Sequence, residues 1–295
     1  MHAAPPRTLD GLPRPPRALV MAVVNVTQDS FSDGGRFLDQ DRAVAHGLRL
    51  VEEGADLVDV GGESTRPGAE RVPLDEELRR VLPVVSRLSA AGVTVSVDTM
   101  RAEVAEASVE MGAVLVNDVS GGRADPAMFA TVARLGVGYV LMHWRSHSAQ
   151  MTAHADYDDV VLEVADELRV QRDAAVAAGI RPGRIALDPG IGFSKTADQN
   201  WQVLAGLEVL HDLGHPLLVA TSRKRFLGHL LAEGKSGAGG DLRDSAERED
   251  ATVATTTLAA VAGAWCIRAH AARATADAVR VAARWAAAHQ EADDA

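Results

Sequence analysis

Residues 93–117 of the sequence read VTVSVDTMRAEVAEASVEMGAVLVN. A short, mostly β-branched run ends at Asp98, and an alanine-rich segment follows in which apolar residues recur at helical spacing. Gly112 then stands where a left-handed helix C-cap is favoured, and a second apolar run ends at Asn117. The stretch therefore predicts a strand, a helix and a second strand, and each strand ends in a polar side chain.

The same unit recurs along most of the chain. The predicted strands occupy residues 19–26, 57–60, 93–97, 114–116, 139–142, 185–187, 217–220 and 266–268. The predicted helices occupy residues 42–53, 75–90, 101–111, 126–135, 158–178, 199–213, 224–232 with 244–262, and 275–289. Strictly alternating units with apolar strands form a parallel sheet covered by helices, and eight units at this chain length match an α/β fold of the (β/α)8 TIM barrel type. A doubly wound open sheet is the alternative.

The residues at the predicted strand ends favour the barrel. They are Asn25, Gly61 with Gly62, Asp98, Asn117, His143, Asp188, Ser222 and Arg268. In a closed barrel the carboxyl ends of all strands converge on one face, which is the face that carries active sites, whereas an open sheet would scatter them. We therefore expect a single site built from these residues.

Composition suggests where the domain begins and ends. Residues 1–17 hold five of the twelve prolines, and we expect them to form a disordered tail. Residues 18–290 carry all eight units and are expected to form one barrel domain. Residues 291–295 are expected to be a frayed acidic C-terminus, and the glycine-rich stretch 233–240 is expected to be a surface loop.

The charge balance and the cysteine count exclude several classes of protein. Thirty basic residues against 41 acidic residues give a formal net charge of −11, which argues against a nucleic-acid partner. The uncharged run 251–267 is short for a membrane span and predicts a buried helix that leads into a strand. The single cysteine, Cys266, forbids an internal disulfide and fits a reducing cytoplasm. We expect a cytoplasmic protein with small-molecule ligands and with neither nucleic-acid nor membrane partners.

Two carboxylates and an amide end three of the predicted strands. Asp98, Asn117 and Asp188 would face one another across the mouth of a barrel. Each residue taken alone is explained as readily by a helix N-cap. Together they suit the recognition of an NH-rich heterocycle, because a carboxylate accepts two parallel N–H bonds.

Cationic side chains form a second set at the strand ends. Arg66, Lys224, Arg268 and His270 all follow strands, and together they would attract an anion such as a phosphate. For any single arginine, a solvated rim salt bridge explains the position as well. Only three of the 30 basic residues are lysines, which singles out Lys224, while Lys195 is a weaker candidate because an exposed side chain would fit the same pattern.

Two long polar loops and a few neighbouring residues complete the expected mouth. Residues 27–37 and 61–72 are glycine-bearing segments of the kind that close over a ligand. Asn25 offers an oxygen that suits Mg²⁺, although a turn asparagine is an equally good interpretation. Met142 and Phe193 would supply apolar walls.

Eight segments, in this order along the chain, resemble the dihydropteroate synthase family of pterin-binding enzymes. They are NVTQDSFSDGG (25–35), DVGGESTRPGAERV (59–72), SVDTMR (96–101), VNDVSGG (116–122), MHWR (142–145), LDPGIGFSKT (187–196), TSRKRFLG (221–228) and IRAH (267–270). The resemblance implies a (β/α)8 barrel, usually a homodimer, that uses Mg²⁺. It also implies a condensation of 6-hydroxymethyl-7,8-dihydropterin diphosphate with p-aminobenzoate, which yields 7,8-dihydropteroate and diphosphate.

The resemblance also implies roles for individual residues. The pterin-binding positions are Asp98, Asn117, Met142, Asp188, Phe193, Lys224 and Arg268. The diphosphate positions are Asn25, which acts through Mg²⁺, with Arg66, Arg268 and His270. The p-aminobenzoate positions are Phe31, Thr65, Pro67, Phe193 and Ser222. The catalytic set is Asp98, Lys224, Arg268 and His270, and diphosphate is expected to leave before the arylamine attacks.

Other functions remain open from the residues alone. A non-catalytic pterin-binding paralog would have lost Asn25, Arg66 or Lys224, and all three are present. A methyltetrahydrofolate–corrinoid methyltransferase would share the pterin-binding acids, but the intact STRPG and SRKRF segments argue against it. A purely structural barrel would not explain so many polar strand ends. One departure from the family pattern is Ala271, where an aspartate usually follows the histidine.

Overall fold

The computed structural model describes residues 7–26, 36–63, 71–145, 155–232 and 242–293. The strands in these ranges are Leu19–Asn25 (β1), Leu57–Gly61 (β2), Val95–Asp98 (β3), Leu115–Asp118 (β4), Gly138–Met142 (β5), Ile185–Asp188 (β6), Leu218–Val219 (β7) and Cys266–Ala269 (β8). The helices are Arg36–Glu52 (α1), Leu74–Ala90 (α2), Ala102–Glu110 (α3), Met128–Leu135 (α4), Val160–Ala177 (α5), Ala197–Ala205 (α6), Leu207–His211 (α7), Arg225–Ala232 (α8), Glu249–Val261 (α9) and Ala272–Asp293 (α10).

The eight strands form one parallel sheet in the order β6-β5-β4-β3-β2-β1-β8-β7. A parallel bridge between Leu187 and Leu217 joins the two edges, and the Leu187 N–H donates to the Pro216 carbonyl across 2.8 Å. The sheet therefore closes on itself. The (β/α)8 barrel expected from the sequence is confirmed, and the doubly wound open sheet is not observed.

Strand alternation divides the apolar residues into two cores. Successive strand side chains point to opposite faces, so Leu19 and Met21 lie inside the barrel, where they pack with Leu57 and other interior residues. Val20 and Ala22 point outward and belong to the larger core between the sheet and the surrounding helices. The barrel interior is thus filled with side chains, and only its two ends remain available for polar groups.

The segment before β1 differs from the expectation of a disordered tail. Leu9 and Leu12 are buried in the interior core, and the Asp10 N–H donates to the Gly183 carbonyl across 2.9 Å. Arg17 forms two hydrogen bonds to Asp56, at 2.7 and 2.9 Å. The prediction was wrong for residues 7–17, because proline content does not reveal that the two leucines cover the apolar N-terminal end of the barrel. Residues 1–6 lie outside the described residues.

Some helix boundaries also differ from the sequence-based prediction. The predicted helix 199–213 is two helices, α6 and α7, separated at Gly206, where a Cβ would lie 2.6 Å from Cγ1 of Val161. This close approach of α5 could not be inferred locally. At the C-terminus α10 continues to Asp293, so residues 291–293 are helical rather than frayed. The predicted loop 233–240 lies outside the described residues.

The uncharged run 251–267 forms most of α9 and the start of β8, as predicted. Its threonines Thr252, Thr255 and Thr256 are buried between α9 and its neighbours. In the portion of the chain described, no helix combines the length and the apolarity needed to cross a membrane.

Candidate active site

The carboxyl ends of the first four strands place four residues side by side. Asn25 pairs with Gly61, Gly61 with Asp98, and Asp98 with Asn117 in the parallel register. Paired residues on neighbouring parallel strands point to the same face, and here that face is the barrel interior. Asp98 and Asn117 are buried at this end of the barrel, which we call the mouth. The structure thus brings the predicted strand-end residues together.

Arg268 on β8 contacts β2 through Asp59 and β3 through Asp98, and Asp59 in turn contacts Asn117 on β4. The Nε of Arg268 donates to Oδ2 of Asp59 across 2.6 Å, and its Nη2 donates to Oδ2 of Asp98 across 2.7 Å. The Asn117 amide also donates to Oδ2 of Asp59, across 2.9 Å. Charge-assisted hydrogen bonds in a partly dehydrated site are strong, so this network fixes the orientation of all four side chains.

Asp59 was missed by the sequence analysis. The residue is fully buried inside the apolar run of β2, two positions before Gly61, and therefore on the same interior face. The sequence did carry a signal for it. Asp59 is acidic within an otherwise apolar strand, and it lies two residues from the strand end, so it points to the same face as Gly61. Oδ1 of Asp59 has no hydrogen-bond partner among the described residues, which leaves a buried acceptor for a ligand N–H or an ordered water.

Burial and charge set the protonation of the mouth residues. Burial raises the pKa of Asp98 to about 7; Arg268 opposes this shift, whereas Asp59, Glu77 and Asp118 add to it. Burial works against the charge of Arg268, but Asp59 and Asp98 overcome that effect and raise the pKa of Arg268 above its ordinary value. The mouth therefore holds a permanent cation beside a carboxyl group that titrates near neutrality.

Asp188, Lys224 and Phe193 form the opposite wall. Oδ1 of Asp188 accepts from the Gly190 N–H across 2.7 Å. The Lys224 ammonium donates to the Ile191 carbonyl and lies 5.0 Å from the centre of the Phe193 ring. This wall presents a carboxylate, an amine and an aromatic face to the same space.

Lys224 depends on the glycine beside it. Gly192 has φ of +82°, and a Cβ there would lie 2.9 Å from Cδ of Lys224. Burial lowers the pKa of Lys224 to about 8, although Asp188 acts in the opposite direction. Burial also raises the pKa of Asp188, and Lys224 counteracts that shift. The lysine that the sequence singled out therefore faces the carboxylate that ends β6.

The turn after β7 orients both Ser222 and Lys224. Arg223 lies between them with φ of +58°, an uncommon conformation for a residue with a side chain. The Arg223 N–H donates to Thr252 Oγ1 across 3.0 Å, and its Nε donates to Glu249 across 2.8 Å. Contacts from α9 thus hold the strained turn.

Ser222 contacts the histidine that follows β8. Its Oγ lies 2.8 Å from Nδ1 of His270, and the His270 N–H donates to the same oxygen across 3.2 Å. The predicted pair of an anion-binding histidine and a p-aminobenzoate-contacting serine is therefore directly linked. This link orients the His270 ring in a chain where Ala271 replaces the usual aspartate.

Asn25 is the neutral oxygen donor of the mouth that the sequence analysis linked to Mg²⁺. Its Oδ1 and Oδ2 of Asp98 each lie 3.7 Å from the position that a Cβ on Gly61 would take, and that Asp98 oxygen already accepts from Arg268. Mg²⁺ takes few protein ligands and keeps waters and phosphate oxygens. Within the described ranges, no group of three or more His, Cys, Asp or Glu residues could hold a metal ion by itself. A cation held by Asn25 would therefore need waters and phosphate oxygens of a ligand to complete its coordination.

The remaining predicted residues divide into two groups. Met142 pairs in register with Asp188 and is 3% exposed, so it lies on the interior face of the mouth as expected. Phe31, Thr65, Arg66 and Pro67 lie outside the described residues. Their predicted roles stay predictions.

The fold and the site define a TIM-barrel enzyme whose mouth is suited to a small, polar, NH-rich ring. A family model described as "Pterin binding enzyme" matches residues 21–270, which include every strand end described above. The chain belongs to this pterin-binding enzyme family, in the group of dihydropteroate synthases, which are transferases of folate biosynthesis.

Relatives and solved structures support the assignment. The dihydropteroate synthase of Mycobacterium leprae (strain TN) is 55% identical over 267 residues, which cover 90% of this chain and 93% of that protein. The structure of Xanthomonas albilineans dihydropteroate synthase with 4-aminobenzoic acid matches with a TM-score of 0.83 and 46% identity, over 92% of this chain and 93% of that one. The same enzyme in complex with 7,8-dihydropteroate matches with a TM-score of 0.80 and 44% identity, over 92% and 94%. The resemblance inferred from the sequence motifs is confirmed.

Proposed function

We propose that this chain condenses 6-hydroxymethyl-7,8-dihydropterin diphosphate with p-aminobenzoate, and that the products are 7,8-dihydropteroate and diphosphate. The observation that carries the proposal is the Arg268 guanidinium, which bridges Asp59 and Asp98 opposite Asp188 and Lys224. The Xanthomonas albilineans structures with 4-aminobenzoic acid and with 7,8-dihydropteroate support the same pair of ligands.

The polar residues of the mouth match the edges of a pterin. Its aminopyrimidinone edge presents several N–H donors and one carbonyl acceptor, and carboxylates and amides accept such donors in pairs. Asp98, Asn117 and Asp188 supply the acceptors, and the Lys224 ammonium supplies a donor. Met142 and Phe193 add apolar contact, and the planar Arg268 guanidinium stacks over the ring.

The diphosphate lies where the cations and Asn25 meet. Arg268 lies in β8 and His270 follows it, and Arg66 is assigned here by its position in the family motif. Asn25 would hold Mg²⁺, which when bound neutralises charge on the phosphate oxygens. We assign p-aminobenzoate to Ser222, which contacts His270, and to Phe193, together with Phe31, Thr65 and Pro67, which the family motif assigns.

The order of bond changes follows from the weak nucleophile. An arylamine nitrogen attacks poorly, and none of the described mouth residues is placed as a strong general base for it. We assign a first step in which the C–O bond to diphosphate breaks and the electron pair leaves with the diphosphate oxygen. The pterin-methyl cation is then stabilised by the Asp98 carboxylate. The arylamine nitrogen forms the new C–N bond and releases its proton to solvent.

A homodimer in the cytoplasm completes the proposal. Leu258 on α9 and Val281 and Trp285 on α10 are 65%, 61% and 62% exposed, and these two helices pack against each other. Large apolar side chains exposed on two neighbouring helices support an interface. We assign this face to contact with a second copy of the chain, as the family resemblance implies.

Release of diphosphate tests the proposed function. Purified protein is given the dihydropterin diphosphate and Mg²⁺, with and without p-aminobenzoate. We expect release that rises with the amine and that yields 7,8-dihydropteroate. Saturable pterin binding without turnover would identify a non-catalytic paralog. Methyl transfer from methyltetrahydrofolate to a corrinoid, with no diphosphate release, would identify a methyltransferase.

A further inference from the structure

A buried polar cluster lies behind the wall formed by Asp188 and Phe193. Lys195 follows the DPGIGFS segment, and its Nζ lies 3.1 Å from Nδ1 of His143. On the other side of the imidazole, Nε2 lies 3.0 Å from Oε2 of Glu167. Arg145 completes the cluster through a hydrogen bond of 3.0 Å from its Nε to Oε1 of Glu167. None of these four residues has a role in the proposed reaction.

The hydrogen-bonding capacity of Lys195 is fully used. An ammonium has three donors and no acceptor, and here it donates to the carbonyls of Gly190 and Phe193, both across 3.2 Å, and to His143 Nδ1. Burial lowers the pKa of Lys195 to about 7, and while the amine is protonated it needs an acceptor at Nδ1, which places the proton of a neutral His143 on Nε2, directed at Glu167. Burial lowers the pKa of His143 to about 4, with a further contribution from Lys195, which agrees with this protonation.

The two carbonyls that Lys195 binds belong to one turn between β6 and α6. Gly190 has φ of +67°, and a Cβ there would lie 2.4 Å from the His143 carbonyl. Ser194, at the end of the turn, has φ of +45° although it carries a side chain. A backbone in this conformation is strained and needs surrounding contacts to hold it. Tyr157 supplies another contact, because its hydroxyl donates to the Ser194 carbonyl across 2.9 Å.

The same turn carries the parts of the mouth that face the ligand. The Gly190 N–H is the donor that orients Asp188, and the Phe193 ring faces Lys224. Lys195 binds the carbonyls of Gly190 and Phe193, so it spans the turn on the side away from the mouth.

We propose that Lys195 is a positioning residue of the pterin site. Its ammonium, hydrogen-bonded to His143, holds the 190–193 turn so that Asp188 and Phe193 keep their binding geometry. The inference rests on the proposed function, since the pterin is the ligand that the turn would serve. An arginine could not replace this residue, because its planar fork does not reach three acceptors arranged around one nitrogen.

Two readouts of a Lys195→Met variant test the proposal. The first is the Kd for 6-hydroxymethylpterin, which lacks the diphosphate and reports on the ring site alone; we expect it to rise about tenfold. The second is hydrogen exchange in the 190–194 segment without ligand, which we expect to become faster. The control is Arg169→Met, which removes an exposed cation of α5, the helix that carries Glu167, and should change neither.

A double-mutant cycle separates positioning from general destabilisation. We expect Lys195→Met and Phe193→Ala to be non-additive in pterin Kd, because the lysine acts through the turn that carries the phenylalanine. Lys195→Met and Asn117→Ala should be additive, because the two side chains share no hydrogen-bond partner among the described residues. Should Lys195→Met fail to fold, Lys195→Gln, which keeps one donor group, takes its place in the same cycle.

The outcomes distinguish this inference from the function on which it rests. Unchanged exchange in the turn, an unchanged pterin Kd in a folded variant, or additivity with Phe193→Ala would each overturn the positioning role. If the wild-type protein does not bind the pterin but Lys195→Met still accelerates hydrogen exchange in the 190–194 segment, the proposed function is wrong. The role of Lys195 in holding the turn is then still supported.

Discussion

Arg268 at the end of β8 donates to Asp98 at the end of β3 across 2.7 Å, and the two residues are 170 positions apart in the chain. Closure of the barrel brings them together, and Asp59 holds the other edge of the same guanidinium. The permanent charge of the arginine keeps a buried carboxylate available to a ligand at the mouth.

Asp59→Asn should impair both stability and activity. The substitution keeps the shape of the side chain but removes the charge that balances Arg268, and breaking a buried pair costs about 3 kcal/mol. We expect kcat/KM for the dihydropterin diphosphate to fall about 100-fold because the guanidinium loses its orientation. Steady-state kinetics and urea unfolding measure the two effects.

Asp56→Asn provides the matched control. Asp56 pairs with Arg17 at the opposite end of the barrel, at 2.7 Å, and lies three residues before Asp59. Its loss should lower stability and leave kcat/KM unchanged. Wild-type kcat/KM in Asp59→Asn would contradict the assignment of this residue to the site.

The pH profile of kcat/KM should have two limbs that belong to the mouth. Because burial raises the pKa of Asp98 to about 7, its carboxylate is lost as the pH falls below 7. Because burial lowers the pKa of Lys224 to about 8, its ammonium is lost as the pH rises above 8. The profile of kcat/KM reports the free enzyme, so activity should be highest between these values.

Variants assign each limb of the profile. Asp98→Asn should remove the acid limb, and Lys224→Met should remove the alkaline limb, each at a reduced maximum rate. Ionisations of the substrate persist in both variants and so are recognised separately. An alkaline limb that survives in Lys224→Met would show that another group causes it.

Gly192→Ala should weaken pterin binding. The added Cβ would lie 2.9 Å from Cδ of Lys224, and the backbone there has φ of +82°. We expect a loss of about 1 kcal/mol of stability from the backbone and a rise in the pterin Kd from the displaced lysine. Calorimetric titration with 6-hydroxymethylpterin measures the binding.

Gly136→Ala is the control for the backbone effect. Gly136 also has a positive φ, of +65°, but a Cβ there would meet nothing within 4 Å. This variant should lose similar stability with no change in the pterin Kd. Equal binding by the two variants would mean that Gly192 serves the turn alone and not Lys224.

Trp285→Glu should prevent formation of the proposed dimer. Trp285 is 62% exposed on α10, on the face assigned to the second copy, and a charge there would disrupt an apolar interface. Sedimentation velocity at micromolar concentration should give a dimer for the wild-type chain and a monomer for the variant. Val170→Glu, at a position 64% exposed on α5, should remain dimeric. A monomeric wild-type chain would refute the assignment.

The sequence was sufficient for the parts of the molecule that depend on local pattern. Asp98, Asn117 and Asp188 each follow an apolar run, so their place at strand ends could be inferred, and barrel closure made them neighbours. Lys224 stood out because the chain otherwise uses arginine. These inferences needed only periodicity and the geometry of parallel strands.

Features that depend on tertiary contacts could not be inferred in the same way. Asp59 looked like part of an apolar strand, because its role depends on which face of β2 points inward. Lys195 looked like an exposed side chain, because its acceptors come from a strained turn and from the distant His143. Leu9 and Leu12 were not recognised as core residues, because the prolines around them indicated disorder and composition does not show which surface a residue covers.

The most direct test of the central claim follows the arylamine nitrogen into the product. Wild-type protein and an Arg268→Met variant are incubated with dihydropterin diphosphate, Mg²⁺ and ¹⁵N-labelled p-aminobenzoate, and the products are analysed by mass spectrometry. We expect ¹⁵N-labelled 7,8-dihydropteroate and an equal amount of diphosphate from the wild-type protein, with product from the variant reduced about 100-fold or more. Absence of labelled dihydropteroate from folded wild-type protein, or equal turnover by the variant, would contradict this expectation.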